Sequence, residues 1–161
     1  MSETMTLTRA RERLRFELLT ADQFFEEAAA LLIEHREELA TDKALMVLKP
    51  AEEQYLAIEQ AGCLMVLGAY RGTRLIGYSV NLVTPNLHYS DLMQCQNDVL
   101  FLTKDERKGS AGLRLIRKTH ELATERGARI MLWHAKPDTN LDKLMPRMGA
   151  TVQDVIWKVN L

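Results

Sequence analysis

Residues 97–112 read Asn97-Asp98-Val99-Leu100-Phe101-Leu102-Thr103-Lys104-Asp105-Glu106-Arg107-Lys108-Gly109-Ser110-Ala111-Gly112, and Leu113 to Arg126 follow. An apolar strand over Asp98 to Thr103 gives way to a basic, glycine-containing turn and then to a long amphipathic helix. Small residues let the backbone bend sharply and bring successive N–H groups close to a ligand. The helix that follows adds unpaired amides and a partial positive charge. This is the design of a phosphate cradle, and Arg107 and Lys108 add positive charge at its rim.

Two common phosphate motifs are excluded by spacing. A Walker A loop places Lys after its last glycine, whereas Lys108 precedes Gly109 and Gly112; the three glycines of G-x-G-x-x-G are absent as well. The stretch instead resembles motif A, Q/R-x-x-G-x-G/A, of the GCN5-related N-acetyltransferase (GNAT) superfamily, where it binds the pyrophosphate of acetyl-CoA. Arg107 takes the first position and Gly112 the last, with Ser110 replacing the middle glycine. A second register, with Gly109 as middle glycine and Ala111 last, puts Glu106 where Gln or Arg belongs. Helix spacing favours the first, because Leu115 lies three residues after Gly112 and Gly127 fifteen after it.

With 161 residues, 47% hydrophobic and 27% charged, the chain reads as one ordinary globular domain. Its net charge of −1 points to neither a nucleic-acid nor a membrane partner. Cys63 and Cys95 have no spacing of a disulfide framework or a zinc site, so reduced thiols and no metal are expected. No signal-type segment opens the chain and no run reaches membrane-span length, which makes a cytoplasmic location the default expectation.

Residues 1–13 are polar and mixed in charge, the pattern of a flexible start, and residues 14–161 form the expected domain. Leu14, Phe16 and Leu18 alternate as in a half-buried strand. Thr20 and Gln23 form a capping box, after which Phe24, Ala28, Leu31, Leu32, His35 and Leu39 recur at helical spacing. His35 reads as a core or boundary residue. Pro50 and Gly62 bracket a second helix, and Tyr70-Arg71-Gly72-Thr73-Arg74 marks a hairpin between two apolar strands. The loop from Pro85 to Asp91 follows. Beyond the central helix come a strand over Arg129 to Ala135, a short helix over Thr139 to Arg147, and a last strand in which Val155, Trp157 and Val159 alternate. The order β α α β β β α β α β predicts an α+β protein. It is also that of the GNAT-like (acyl-CoA N-acyltransferase) fold, a central mixed, mostly antiparallel sheet flanked by helices. Resemblance covers Leu14 to Val159, strongest from Val66 to Arg129. The block from His88-Tyr89-Ser90 through Asn97-Asp98-Val99 to Trp133-His134 further looks like small acetyltransferases of bacteria and their tailed phages.

The resemblance implies acetyl transfer from acetyl-CoA directly to a primary amine in a ternary complex, with no cysteine nucleophile and no metal. Leu102 and Thr103 would hold the pantetheine arm, residues 107–112 the diphosphate, and Asn140 the CoA side of the cleft. A base must take the proton of the ammonium. His134, at the end of a central strand, is the first candidate, set against a simple loop hydrogen bond. Asp98 lies where many family members place a carboxylate, and equally where a cation would pair with it. His88 and Tyr89 sit in a loop that faces either the acceptor or solvent. Counting back from Gly149 to the family's usual tyrosine acid lands on Met145, so Tyr89, Tyr78 or solvent would supply that proton. The acceptor is a small molecule, peptide or protein amine, and a homodimer is compatible with the reading. The alternatives are a non-catalytic acyl-CoA-binding or interaction module and, third, a nucleotide-binding protein.

Overall fold

The computed structural model describes residues 12–161, so residues 1–11 of the expected flexible start lie outside the described residues. β1 (Leu14–Leu19) leads into α1 (Ala21–Leu39). Thr20 caps this helix: its side chain accepts from the Gln23 amide and Gln23 Oε1 accepts from the Thr20 amide, the reciprocal box read from the sequence. There follow α2 (Glu52–Gln60), β2 (Leu64–Arg71), β3 (Arg74–Pro85), β4 (Met93–Leu102), a 3-10 turn (Lys104–Glu106), α3 (Ala111–Glu125), β5 (Ile130–Leu132), α4 (Asn140–Leu144) and a second 3-10 turn (Pro146–Met148).

The five strands pair in sequence order, all antiparallel except the parallel β4–β5 pair. α1 and α2 cover one face, where Phe24, Ala28, Tyr78, Val80 and Phe101 share a core. α3 covers the other, where Ala111 and Leu115 meet Leu102, and Ala123 meets Cys95. The expected α+β class and mixed, mostly antiparallel sheet are therefore present.

One irregularity decides what β4 can display. Val80 pairs with Val99 and Asn81 with Asn97, so Asp98 is an extra residue with no partner on β3. Side chains alternate strictly along a strand, and one extra residue inverts the alternation. Cys95, before the bulge, faces α3, while Val99 and Phe101, at the same parity but after it, face α1.

The C-terminal expectation is corrected. Residues 150–161 form no strand, and Val155, Trp157 and Val159 are exposed, Trp157 by 88%. Alternating apolar residues supply the side chains of a strand, but a strand exists only when its backbone groups find a ladder, and none runs beside this tail. Among the described residues no helix is long and apolar enough to cross a membrane.

Candidate active site

β4 pairs with β5 only through Gln94, Cys95 and Gln96. From Asn97 to Leu102 it has β3 on one side and no strand on the other, so the sheet splits open. The split leads into a cleft of about 1150 Å³ walled by α1, the 46–50 segment, the start of α3 and residues between His134 and Leu144.

The bulge turns Asp98 into this cleft. Asn97 fixes it: its buried Nδ2 lies 3.0 Å from Val99 O and 2.9 Å from Asn81 Oδ1, bridging the residues on either side of the irregularity. The Asp98 carboxylate faces the α1–α2 side. There the Tyr55 hydroxyl is pushed up to about 12, by burial first and by the Asp98 charge second.

In the turn before α3, Ser110 stands at the N-cap without making a side-chain cap, and the first turn of the helix holds no acidic residue. Its leading amides are left to solvent or to a ligand. Neither glycine of the loop is demanded by packing. A Cβ on Gly109 would meet nothing within 4 Å, and one on Gly112 would make an ordinary 3.6 Å contact with Leu102. Gly109 and Gly112 line the cleft, Lys108 and Ser110 are exposed beside it, and Ala111 is buried against Leu102 and Leu115.

Arg107, expected at the rim, lines the cleft and is already engaged there. Its Nε donates to Leu102 O at 2.7 Å, and its two terminal nitrogens donate to the Glu38 carboxylate at 2.5 and 2.9 Å. The guanidinium holds Glu38 below the usual carboxylate range. This fork ties α1 to the end of β4. Thr103 is buried and its amide donates to Ile76 O at 2.8 Å, so that group is spent within the sheet.

His134, two residues past β5, and Asn140, the first residue of α4, reach the same cleft as Asp98, Leu102 and Arg107. His88 and Tyr89 do not. Their amides donate to Asn86 Oδ1 in the β3–β4 loop, at the far end of β4 from Leu102, roughly 30 Å along the strand at about 3.3 Å per residue. Met145 is the C-cap of α4. Tyr78 is fully buried, and burial raises its hydroxyl well above the usual phenol value. Cys95 is buried too and its thiol is pushed up to about 11, the property of a packing residue.

His35, read from the sequence as a core or boundary residue, is half-buried as expected. It lies on the cleft wall, its Nδ1 is 2.8 Å from the Tyr78 hydroxyl, and its ring stacks on Phe101 at 4.9 Å. Burial lowers its pKa against the opposing charges of Glu38 and Asp98, favouring neutral imidazole. Only its helical register pointed inward; both partners are distant in sequence.

No protein-family model and no curated protein matches the sequence. Solved structures do. An aminoglycoside acetyltransferase from an uncultured soil metagenomic sample superposes with a TM-score of 0.74 at 15% identity, covering 92% of this chain and 99% of that one. A ribosomal-protein-alanine N-acetyltransferase of Brucella melitensis gives 0.69 at 19% identity, with 92% and 99% covered. A GCN5-related N-acetyltransferase of Ralstonia eutropha gives 0.71 at 17% identity, again with 92% and 99% covered. Across its described residues the chain has the fold of the GCN5-related N-acetyltransferase superfamily.

Proposed function

We propose that this protein transfers an acetyl group from acetyl-CoA to a primary amine in a ternary complex. One observation carries the reading. The uncapped start of α3, with glycines that packing does not require, opens into the same cleft as the unpaired side of β4. Amides of residues 109–113 suit a diphosphate, and the unpaired backbone between Asn97 and Leu102 suits the amide-bearing arm of a pantetheine.

In the reaction the amine nitrogen forms a bond to the thioester carbonyl carbon and the carbon–sulfur bond breaks. The nitrogen loses a proton and the thiolate gains one. His134 and Asp98 are the groups available to accept the first proton, directly or through water. No tyrosine stands at the position of Met145, and the Tyr78 hydroxyl is bonded to His35, which leaves solvent or the cleft-lining Tyr55 to supply the second proton. That missing acid is what supports the alternative, a module that binds acyl-CoA without turning it over.

The test is titration calorimetry with CoA, followed by thiol release from acetyl-CoA across a panel of amines. Binding in the micromolar range with amine-dependent thiol release is expected, and His134→Ala should lower turnover more than binding. Binding without release across the panel would favour the module, and no CoA binding at all would end the transferase reading.

A further inference from the structure

The wall of the cleft on the α1–α2 side is apolar. Phe25 and Tyr55 meet edge to face with centroids 4.9 Å apart, and Leu32 and Leu48 line the same space. At the mouth, Met46 and Val47 are held outward rather than folded away, Val47 being 71% exposed. Arg36 fixes their backbone, donating from Nε to Met46 O at 2.8 Å and from Nη2 to Lys43 O at 3.0 Å. Exposed apolar surface kept in place beside a cleft marks a site for apolar ligand surface.

Charge in the cleft is sparse and uneven. Glu38 is occupied by Arg107 in a two-pronged ion pair. Asp98 has no ion-pair partner among the described residues, although it lies beside Tyr55 and His35. Taken over the whole lining, Arg36, Lys49, Arg107 and Lys136 outnumber the three carboxylates. A polycation would therefore meet more repulsion than attraction, whereas a single ammonium has one carboxylate to itself.

Resting on the transferase reading, we infer that the acceptor is a primary monoamine carrying an apolar ring or chain. Its nitrogen is drawn to Asp98 and its carbon part lies against Phe25, Tyr55 and Leu48. This separates the chain from its structural neighbour named as an aminoglycoside acetyltransferase, whose substrates by that name are polycationic.

The test titrates 2-phenylethylamine and kanamycin into the protein by calorimetry, with and without saturating CoA. The inference expects 2-phenylethylamine to bind at least about tenfold tighter than kanamycin, the discrimination an apolar pocket gives for a few carbon atoms. Leu48→Asn and Asp98→Asn should each weaken the phenylethylamine by about tenfold, and Leu48→Asn should leave CoA affinity unchanged. Kanamycin binding as tightly, phenylethylamine binding indifferent to both substitutions, or binding of neither amine would overturn it. Because one arm omits CoA, a failure of CoA to bind sinks the transferase reading while the amine comparison still gives its own answer.

Discussion

The Nδ1 atom of His35 and the hydroxyl of Tyr78 lie 2.8 Å apart, joining α1 to β3 beneath the cleft. No other acceptor for the Tyr78 hydroxyl occurs among the described residues. The phenol therefore donates to Nδ1, and neutral His35 carries its proton on Nε2. Tyr78→Phe should cost about 1 kcal/mol in urea unfolding, the usual worth of such a bond.

The same pair makes stability depend on pH. Burial lowers the His35 pKa, so the folded state binds fewer protons than the unfolded one. Stability is then full above the ordinary imidazole value of about 6.5 and falls as the pH drops through it toward the folded value. His120, also lowered by burial, adds a slope of the same sign. Unfolding free energies measured from pH 8 to pH 5 should decline, and His35→Gln should flatten the decline. An unchanged slope in that variant would exclude His35 as its source.

Arg107 gives a second expectation. With its guanidinium shared between Glu38 and Leu102 O, Arg107→Ala should lose about 1 kcal/mol of stability, the pair being partly exposed. If the guanidinium also serves the diphosphate, Arg107→Ala weakens CoA binding, and Glu38→Gln, which releases it, strengthens CoA binding. Calorimetry on the two variants separates a ligand-binding arginine from a purely structural one, for which CoA affinity stays constant in both.

Two glycines should respond in opposite ways. A Cβ on Gly77 would lie 2.4 Å from Phe101 O, a backbone atom of the neighbouring strand that cannot step aside. Gly77→Ala should destabilise by about 2 kcal/mol or more through strain in the β3–β4 ladder. Gly109→Ala meets open space and should leave the melting temperature within about 2 °C while weakening CoA binding. Thermal melts and CoA titrations on both proteins check the contrast.

Asn97→Ala removes the side chain that bridges the bulge and takes one of two donors from Asn81 Oδ1 and from Ser79 Oγ, which still bond each other. A loss of about 1 kcal/mol is expected, the usual net worth of a buried hydrogen bond whose partners keep another. Asn97→Asp, similar in shape but without the amide donors, should do no better in the same unfolding assay.

Removing residues 152–161 should leave the melting temperature within about 2 °C, because every side chain in that tail is exposed. A drop of many degrees would mean that the tail is held by a partner in solution.

Much of the frame was legible locally. The capping box at Thr20, the hairpin turn at Gly72 and the small residues before α3 each encode their structure within a few positions. What escaped reading depends on distance. Glu38 and Arg107 are 69 residues apart and His35 and Tyr78 are 43 apart, so neither pair leaves a local trace. The bulge at Asp98 is set by Asn97 reaching across to β3, and no residue type announces it. The tail failed for the converse reason: Val155, Trp157 and Val159 have the alternation of a strand but no neighbour to pair with.

Asp98 is also a surplus residue, one that the ladder can close without. Deleting that single residue would let Asn97 run straight to Val99 and remake a regular ladder with every β3 partner kept, so that Phe101 still faces α1 and Leu102 still faces α3. Both helices would keep the side chains they pack against, and what disappears is the carboxylate turned into the cleft. The core should therefore tolerate both replacement and loss of residue 98, whereas the chemistry of the cleft should tolerate neither.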